Sequence, residues 1–182
     1  MSVISMANDL VGKVKYSFGA NSITSAGGTG DCSSFVQYVF GQNGVSLPRT
    51  AESQYNSSKG TAVEKSDLRA GDVVFFKGTY KSGISHVGIY AGNGKFIHNS
   101  SSKGGTTISN LSDSYYTQHY AGARRYGGAN TGVAENEAEV TNVSGTGSKL
   151  GIIKSFASNI VVAIVIAVLL VLGFILFAKA FV

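Results

Sequence analysis

A single cysteine and three histidines are the residues of this chain best suited to covalent chemistry. Cys32, Phe35, Val36, Val39 and Phe40 recur at helical spacing directly after Asp31, which predicts a helix that starts at the cysteine with the aspartate as its N-cap. A thiol in a first helical turn lies in the partial positive charge of the free amides, which favours thiolate and lowers its pKa. Gly30, just before the turn, would let the backbone approach a bound chain closely. Without such a context a lone cysteine is a small packing residue. Thiolate and imidazole could also ligate zinc, but no Cys-x-x-Cys or His-x-x-x-His pair is present, so neither metal nor cofactor is expected.

The elements that must position these groups are legible in outline. The run Val73–Phe76 after Gly71-Asp72 predicts a buried strand, and His86–Ala91 and Lys95–His98 predict two more about Gly92-Asn93-Gly94. Tyr120–Tyr126 adds another, and Met1–Lys15 is predicted as an amphipathic helix with no signal-peptide core. Helices first and strands afterwards indicate an α+β domain, its antiparallel sheet packed on N-terminal helices, over residues 1–126. Residues 127–154 are rich in Gly, Ala, Asn, Thr and Ser and are expected to form a flexible linker. Residues 155–180 are expected to form a transmembrane helix, because no charge occurs from Ser155 to Ala178 and Lys154 and Lys179 flank the run. The net charge of +5 belongs to the first 126 residues, with 12 Lys/Arg against 7 Asp/Glu. That excess suits an anionic polymer, while the absence of a clustered basic stripe or stacking motif excludes nucleic acid as an expected partner.

Five segments in order resemble the NlpC/P60 family. They are Lys15-Tyr16-Ser17-Phe18-Gly19, Asp31-Cys32-Ser33-Ser34-Phe35-Val36, Leu47-Pro48-Arg49-Thr50-Ala51, Leu68 to Phe76, and Ser85-His86-Val87-Gly88-Ile89-Tyr90 continuing to His98. The resemblance implies a papain-like fold and a cysteine peptidase of peptidoglycan stem peptides. In it Cys32 is the nucleophile, His86 the general base and acid, and His98 the group that orients His86. Tyr16 would lie beside the oxyanion hole, and Asp31, Ser33 and Arg49 would grip the stem peptide. Phe18 and Ala20 depart from the family's usual Trp and Gly. His119 is expected at the surface. A related thiol acyltransferase or amidase, or a membrane or virion component with an inactive domain, are the alternative readings.

For His98 to reach His86 the two must share a face of a hairpin. A two-residue Asn93-Gly94 turn pairs His98 with Ile89 and separates them, whereas a three-residue loop pairs His98 with Gly88 and unites them. The latter register is therefore expected, with Gly94 left-handed and Gly88 leaving open space beside His98. The localisation expected is a single-pass membrane protein with a C-terminal anchor in a cell envelope or virion membrane, consistent with phage lysis. Lys149 and Lys154 before the span, against Lys179 after it, favour a head on the inner side.

Overall fold

The computed structural model describes residues 1–127. Apart from Gly127, the expected linker and the expected membrane helix lie outside these residues. No helix among the described residues is long and apolar enough to cross a membrane.

Helix α1 (Val3–Asp9) is capped by Ser2, whose hydroxyl accepts the Ser5 amide at 3.1 Å. It is shorter than the helix predicted to Lys15, because the chain turns at Gly12 and continues as strand β1 (Val14–Tyr16). Strands β2 (Asn21–Thr24) and β3 (Gly27–Gly30) form a hairpin that leads into helix α2 (Cys32–Gln42). Helix α3 (Ala51–Tyr55) and strand β4 (Gly60–Val63) follow. The remainder is β5 (Val73–Lys77), β6 (Ile84–Gly92), β7 (Lys95–Ser100), β8 (Gly105–Asn110), α4 (Ser114–His119) and β9 (Tyr120–Tyr126).

The nine strands form one sheet in the order β2-β3-β1-β8-β7-β6-β5-β9-β4. All neighbouring pairs are antiparallel except β1 and β3, so the sheet is mixed rather than antiparallel throughout. The parallel pair was not expected because β3 is Gly-Gly-Thr-Gly, without the apolar alternation that marks a strand.

Both faces of β5 are covered, which explains its unbroken apolar run. Val73 and Phe75, with Val87, Ile89 and Ile97, pack against Phe35, Val36, Val39 and Phe40 of α2. Val74 and Phe76 pack with Phe96, Leu111 and Ala123 beneath Tyr116 and Tyr120. Each fully buried phenylalanine contributes about 1.5 to 3 kcal/mol. The sheet's centre is thus fixed on both sides at the strands that carry the histidines.

The β6–β7 hairpin reaches the expected register by an unexpected route. Gly92 pairs with Lys95 around a two-residue turn, with Asn93 at φ 52 and Gly94 at φ 72. A bulge between Tyr90 and Gly92 then shifts the pairing to Tyr90↔Phe96 and Ile89↔Ile97. Extended one step, this register sets His98 against Gly88. The extra residue of the bulge, rather than a three-residue loop, puts both histidines on one face.

Candidate active site

Helix α2 begins at Cys32 because Asp31 caps it on two sides. The Asp31 carboxylate accepts the Ser34 amide at 2.8 Å, and Ser34 Oγ accepts the Asp31 amide at 2.8 Å, completing a capping box. Gly30 serves close packing rather than access for a ligand: a Cβ there would lie 2.6 Å from Ile23 Cδ1 and 2.7 Å from Ser34 Oγ. The β6–β7 ladder runs from the turn to Ile89↔Ile97 and goes no further, and the Val87 amide instead faces the Cys32 sulfur. The helix start is thereby placed against the strand residue next to His86.

The thiol is not lowered in pKa as the helix position suggested. Burial pushes it up to about 12, with the neighbouring Asp31 carboxylate adding to the rise. The amides of Val87, Ser33 and Cys32 pull it back only in part. Burial likewise pushes His86 down to about 4. Both shifts favour the uncharged forms, a thiol at Cys32 and an imidazole at His86. A charged thiolate and imidazolium would arise from these forms only by transfer of the thiol proton, which is general-base chemistry.

His86 and His98 meet on the shared face, with His86 Nε2 2.7 Å from His98 Nδ1. His98 is fully buried, and its Nε2 lies 3.0 Å from Ser109 Oγ and 3.4 Å from the Tyr116 hydroxyl. A proton on His98 Nε2 can be donated to Ser109, leaving Nδ1 to accept from His86 Nε2–H. His86 Nδ1 is then the unprotonated nitrogen available to a thiol. Phe96 stacks on His98 at 4.6 Å and Phe76 on His86 at 5.9 Å, which restricts both rings. The space at Gly88 is filled rather than open: a Cβ there would meet Phe96 Cδ2 at 2.7 Å and His98 Cβ at 2.9 Å. Only glycine lets His98 and Phe96 come this near.

Asp31, Ser33 and Arg49 form one polar cluster. Arg49 grips Asp31 with two nitrogens, at 3.0 and 2.8 Å, and also donates to Ser33 Oγ at 3.0 Å and to the Ala20 carbonyl at 3.1 Å. Burial alone would raise the Asp31 pKa, but Arg49 and the Ser34 amide outweigh it and hold the carboxyl below its ordinary value. This cluster lines a cleft of about 460 Å³ together with Cys32, Tyr16 and Tyr80. A second cleft of about 470 Å³ is lined by His86, Ser109 and Tyr116 and shares only Tyr16 and Tyr80 with the first. Burial, followed by the nearby thiol, pushes Tyr16 up to about 12, so its hydroxyl stays a donor.

All seven residues singled out from the sequence thus line one of these two clefts or, for His98, support a residue that does. His119 stands apart, its Nδ1 donating to the Lys77 carbonyl at 2.7 Å. Ser109 and Tyr116 were missed. Ser109 lies two residues from Thr107, the partner of His98 across β7–β8, and so is its diagonal neighbour. Finding it from the sequence would require β8 to be recognised first, and Gly-Thr-Thr-Ile-Ser-Asn carries too little apolar pattern to announce a strand. Among the described residues no group of three or more His, Cys, Asp or Glu side chains is placed to hold a metal.

A thiol at a helix start, with the amide of the strand residue after a histidine turned to its sulfur and that histidine's ring held by a second one, is the arrangement expected of papain-like thiol hydrolases. The NlpC/P60 family model matches residues 12–125, and the chain belongs to this family. It is 46% identical over 125 residues to the gamma-DL-glutamyl hydrolase of Bacillus subtilis, covering 68% of this chain and 29% of that protein. It is 40% identical over 96 residues to the murein DD-endopeptidase MepH of Escherichia coli, covering 52% of this chain and 35% of that one. The chain therefore spans about a third or less of these relatives. Among solved structures, an NLP/P60 family protein similar to lipoprotein from Staphylococcus aureus has a TM-score of 0.58 at 33% identity, covering 68% and 40% of the two chains. The peptidoglycan hydrolase RipB of Mycobacterium tuberculosis has a TM-score of 0.53 at 30% identity, covering 68% and 62%.

Proposed function

We propose that this protein is a cysteine endopeptidase that hydrolyses peptidoglycan stem peptides at the bond between D-γ-glutamate and a diamino acid. The observation that carries this reading is the 2.7 Å contact between His86 Nε2 and His98 Nδ1 on the strand whose Val87 amide faces the Cys32 sulfur. The Cys32 sulfur attacks the amide carbonyl carbon while its proton passes to His86 Nδ1. The oxyanion that forms is stabilised by amides at the start of α2. His86 then gives the proton to the leaving nitrogen, the C–N bond breaks, and a thioester remains on Cys32. Water, deprotonated by His86, attacks the thioester, releasing the acid and restoring the thiol. His98 holds the His86 ring and tautomer, and Tyr16 closes the cleft beside the sulfur. Arg49, whose side chain is 35% exposed, faces the stem peptide, while Asp31 and Ser33 hold it in place.

The relatives are named for both DL-glutamyl and DD bonds, so the bond is a choice within the family. The DL assignment follows the Bacillus subtilis relative. It is tested by incubating the full-length protein, in detergent, with a defined stem tetrapeptide and identifying the fragments by mass spectrometry. Release of L-alanyl-D-glutamate supports the assignment, release of terminal D-alanine would replace it, and transfer of the acyl group to an added amine in preference to water would mark an acyltransferase.

The head is further proposed to be tethered through residues 127–154 to a bilayer crossed by residues 155–180, in a cell envelope or the membrane of a virion where it would serve phage lysis. The charge-free stretch from Ser155 to Ala178 supports this. Membrane fractionation with protease protection tests it: recovery in the soluble fraction would overturn the anchor.

A further inference from the structure

We propose that the cleft on the His86 side of Tyr16 and Tyr80 holds the leaving half of the substrate and reads its first residue through Lys103 and Asp113, preferring a side chain that ends in both a carboxylate and an ammonium. The inference rests on the endopeptidase reading above. The placement follows from proton bookkeeping. His86 has to protonate the leaving nitrogen, so the residue that departs must lie on the histidine's side of the scissile bond, while the acyl residue stays with the sulfur. Cys32 lines one cleft and His86 the other, and the two clefts share only Tyr16 and Tyr80. The scissile bond accordingly crosses between these tyrosines.

The chemistry of the second cleft differs from that of the first. Lys103 stands on the turn between β7 and β8, and Asp113 just before α4. Both are exposed, and among the described residues neither has an oppositely charged partner; Asp113 Oδ1 accepts only the Asn110 amide, at 3.4 Å. Ser101 and Ser102 add hydroxyls, and Tyr115, 47% exposed, adds an apolar ring along which methylenes can lie. One free cation and one free anion on the wall of a single cleft match a ligand that brings one of each. A diamino acid whose side chain ends in an amino acid group, as in meso-diaminopimelate, satisfies both. Lysine satisfies Asp113 alone, and a neutral side chain satisfies neither.

The test separates this subsite from the catalytic reading. Full-length protein carrying Cys32→Ala, in detergent, is titrated by calorimetry with meso-diaminopimelyl-D-alanine, with lysyl-D-alanine and with the acyl half, L-alanyl-D-glutamate. The first should bind more tightly than the second. Lys103→Glu should weaken it about five- to tenfold and abolish the preference, while Asp113→Asn should weaken both diamino ligands and leave the acyl half unchanged. Lys103→Gln, which adds no repulsion, should show the same order with a smaller effect and decides the matter if the charge reversal unfolds the protein. Equal affinity for the two diamino ligands, or indifference to all three substitutions, overturns the subsite. If the Cys32-containing protein cleaves stem peptides but the charge dependence is missing, the subsite falls and the endopeptidase reading stands. If charge-dependent binding is found without cleavage of any stem peptide, the reverse holds.

Discussion

The two clefts that flank Tyr16 and Tyr80 are nearly equal in volume but opposite in how their charges are answered. On the Cys32 side Arg49, Asp31 and Ser33 satisfy one another through four short hydrogen bonds, and Asp31 also caps the helix that presents the thiol. On the His86 side Lys103 and Asp113 are left for whatever enters. Groups already bonded to one another are preorganised and costly to disturb, whereas groups left open are cheap for folding and available for selectivity. The sulfur side is built to be rigid, and the histidine side to choose.

The largest effects are expected at the reacting groups themselves, Cys32 in one cleft and His86 in the other, and at His98 behind His86. Cys32→Ala should abolish turnover. His86→Gln removes both the proton acceptor and the donor, and turnover should fall by about 10² to 10⁴. His98→Gln should retain more activity, because an amide oxygen can accept from His86 Nε2–H and the base is still present. Steady-state kinetics on one stem tetrapeptide measures all three. Equal losses for the glutamine variants of both histidines would show that His98 does more than hold its neighbour.

Next in size is a stability contrast between the same kind of substitution on the two sides. Asp31→Ala removes a helix cap and the bidentate partner of Arg49, and should destabilise the domain by about 2 to 3 kcal/mol. Asp113→Ala, at an exposed position, should cost no more than about 0.5 kcal/mol. Thermal unfolding of the two variants side by side checks the difference. Comparable losses would erase the distinction drawn between a structural and an open cleft.

Acidification should also divide the site. The acid limb of kcat/KM should lie well below the ordinary histidine value and approach pH 4, since the half-buried His86 loses enough hydration to remain neutral and basic until then. His86 and His98 are depressed by burial in the folded state, so the unfolded chain binds more protons than the folded one below its own histidine pKa. Their contribution to stability is therefore fully present above about pH 6.5 and is lost as pH falls toward 4. Asp31, also depressed, contributes above the ordinary carboxylate pKa and loses its contribution only at still lower pH, as the medium passes through its folded value. An acid limb near pH 6.5 would mean that His86 is wetter or differently paired than its surroundings indicate.

How much of this was legible in the sequence varies with the physical origin of each feature. The cap and the thiol helix were readable because Asp31 and the apolar spacing are local signals. The shared face of His86 and His98 was readable because strand alternation ties register to function, although a bulge at the end of β6 took the place of the loop that was expected. The direction of the Cys32 shift was not readable: the helix amides act as foreseen, but burial, a tertiary quantity, outweighs them. Strands β2, β3 and β8 were missed because Gly, Thr and Ser stand where apolar residues would announce them, and Ser109 was hidden with β8. Lys103 and Asp113 could not be joined to the site before the turns that carry them were placed.

The smallest effect tests whether the sulfur side is rigid everywhere or only at its base. Lys81 Nζ lies 3.2 Å from Glu52 Oε2 and ties the β5–β6 loop to α3 along the same cleft, but the two side chains are 46% and 52% exposed. An ion pair so open to water contributes about 0 to 1 kcal/mol, since solvent screens it and both side chains lose freedom in forming it. Phe18 and Tyr80 meet edge to face at 5.6 Å on the same rim, also largely exposed. Glu52→Gln should therefore change thermal stability by no more than about 0.5 kcal/mol, and the change should vanish in high salt. It should also leave kcat untouched, because Glu52 is removed from the proton path between Cys32 and His86. A loss as large as that of Asp31→Ala would mean that the rim supports the fold as strongly as the buried cluster beneath it.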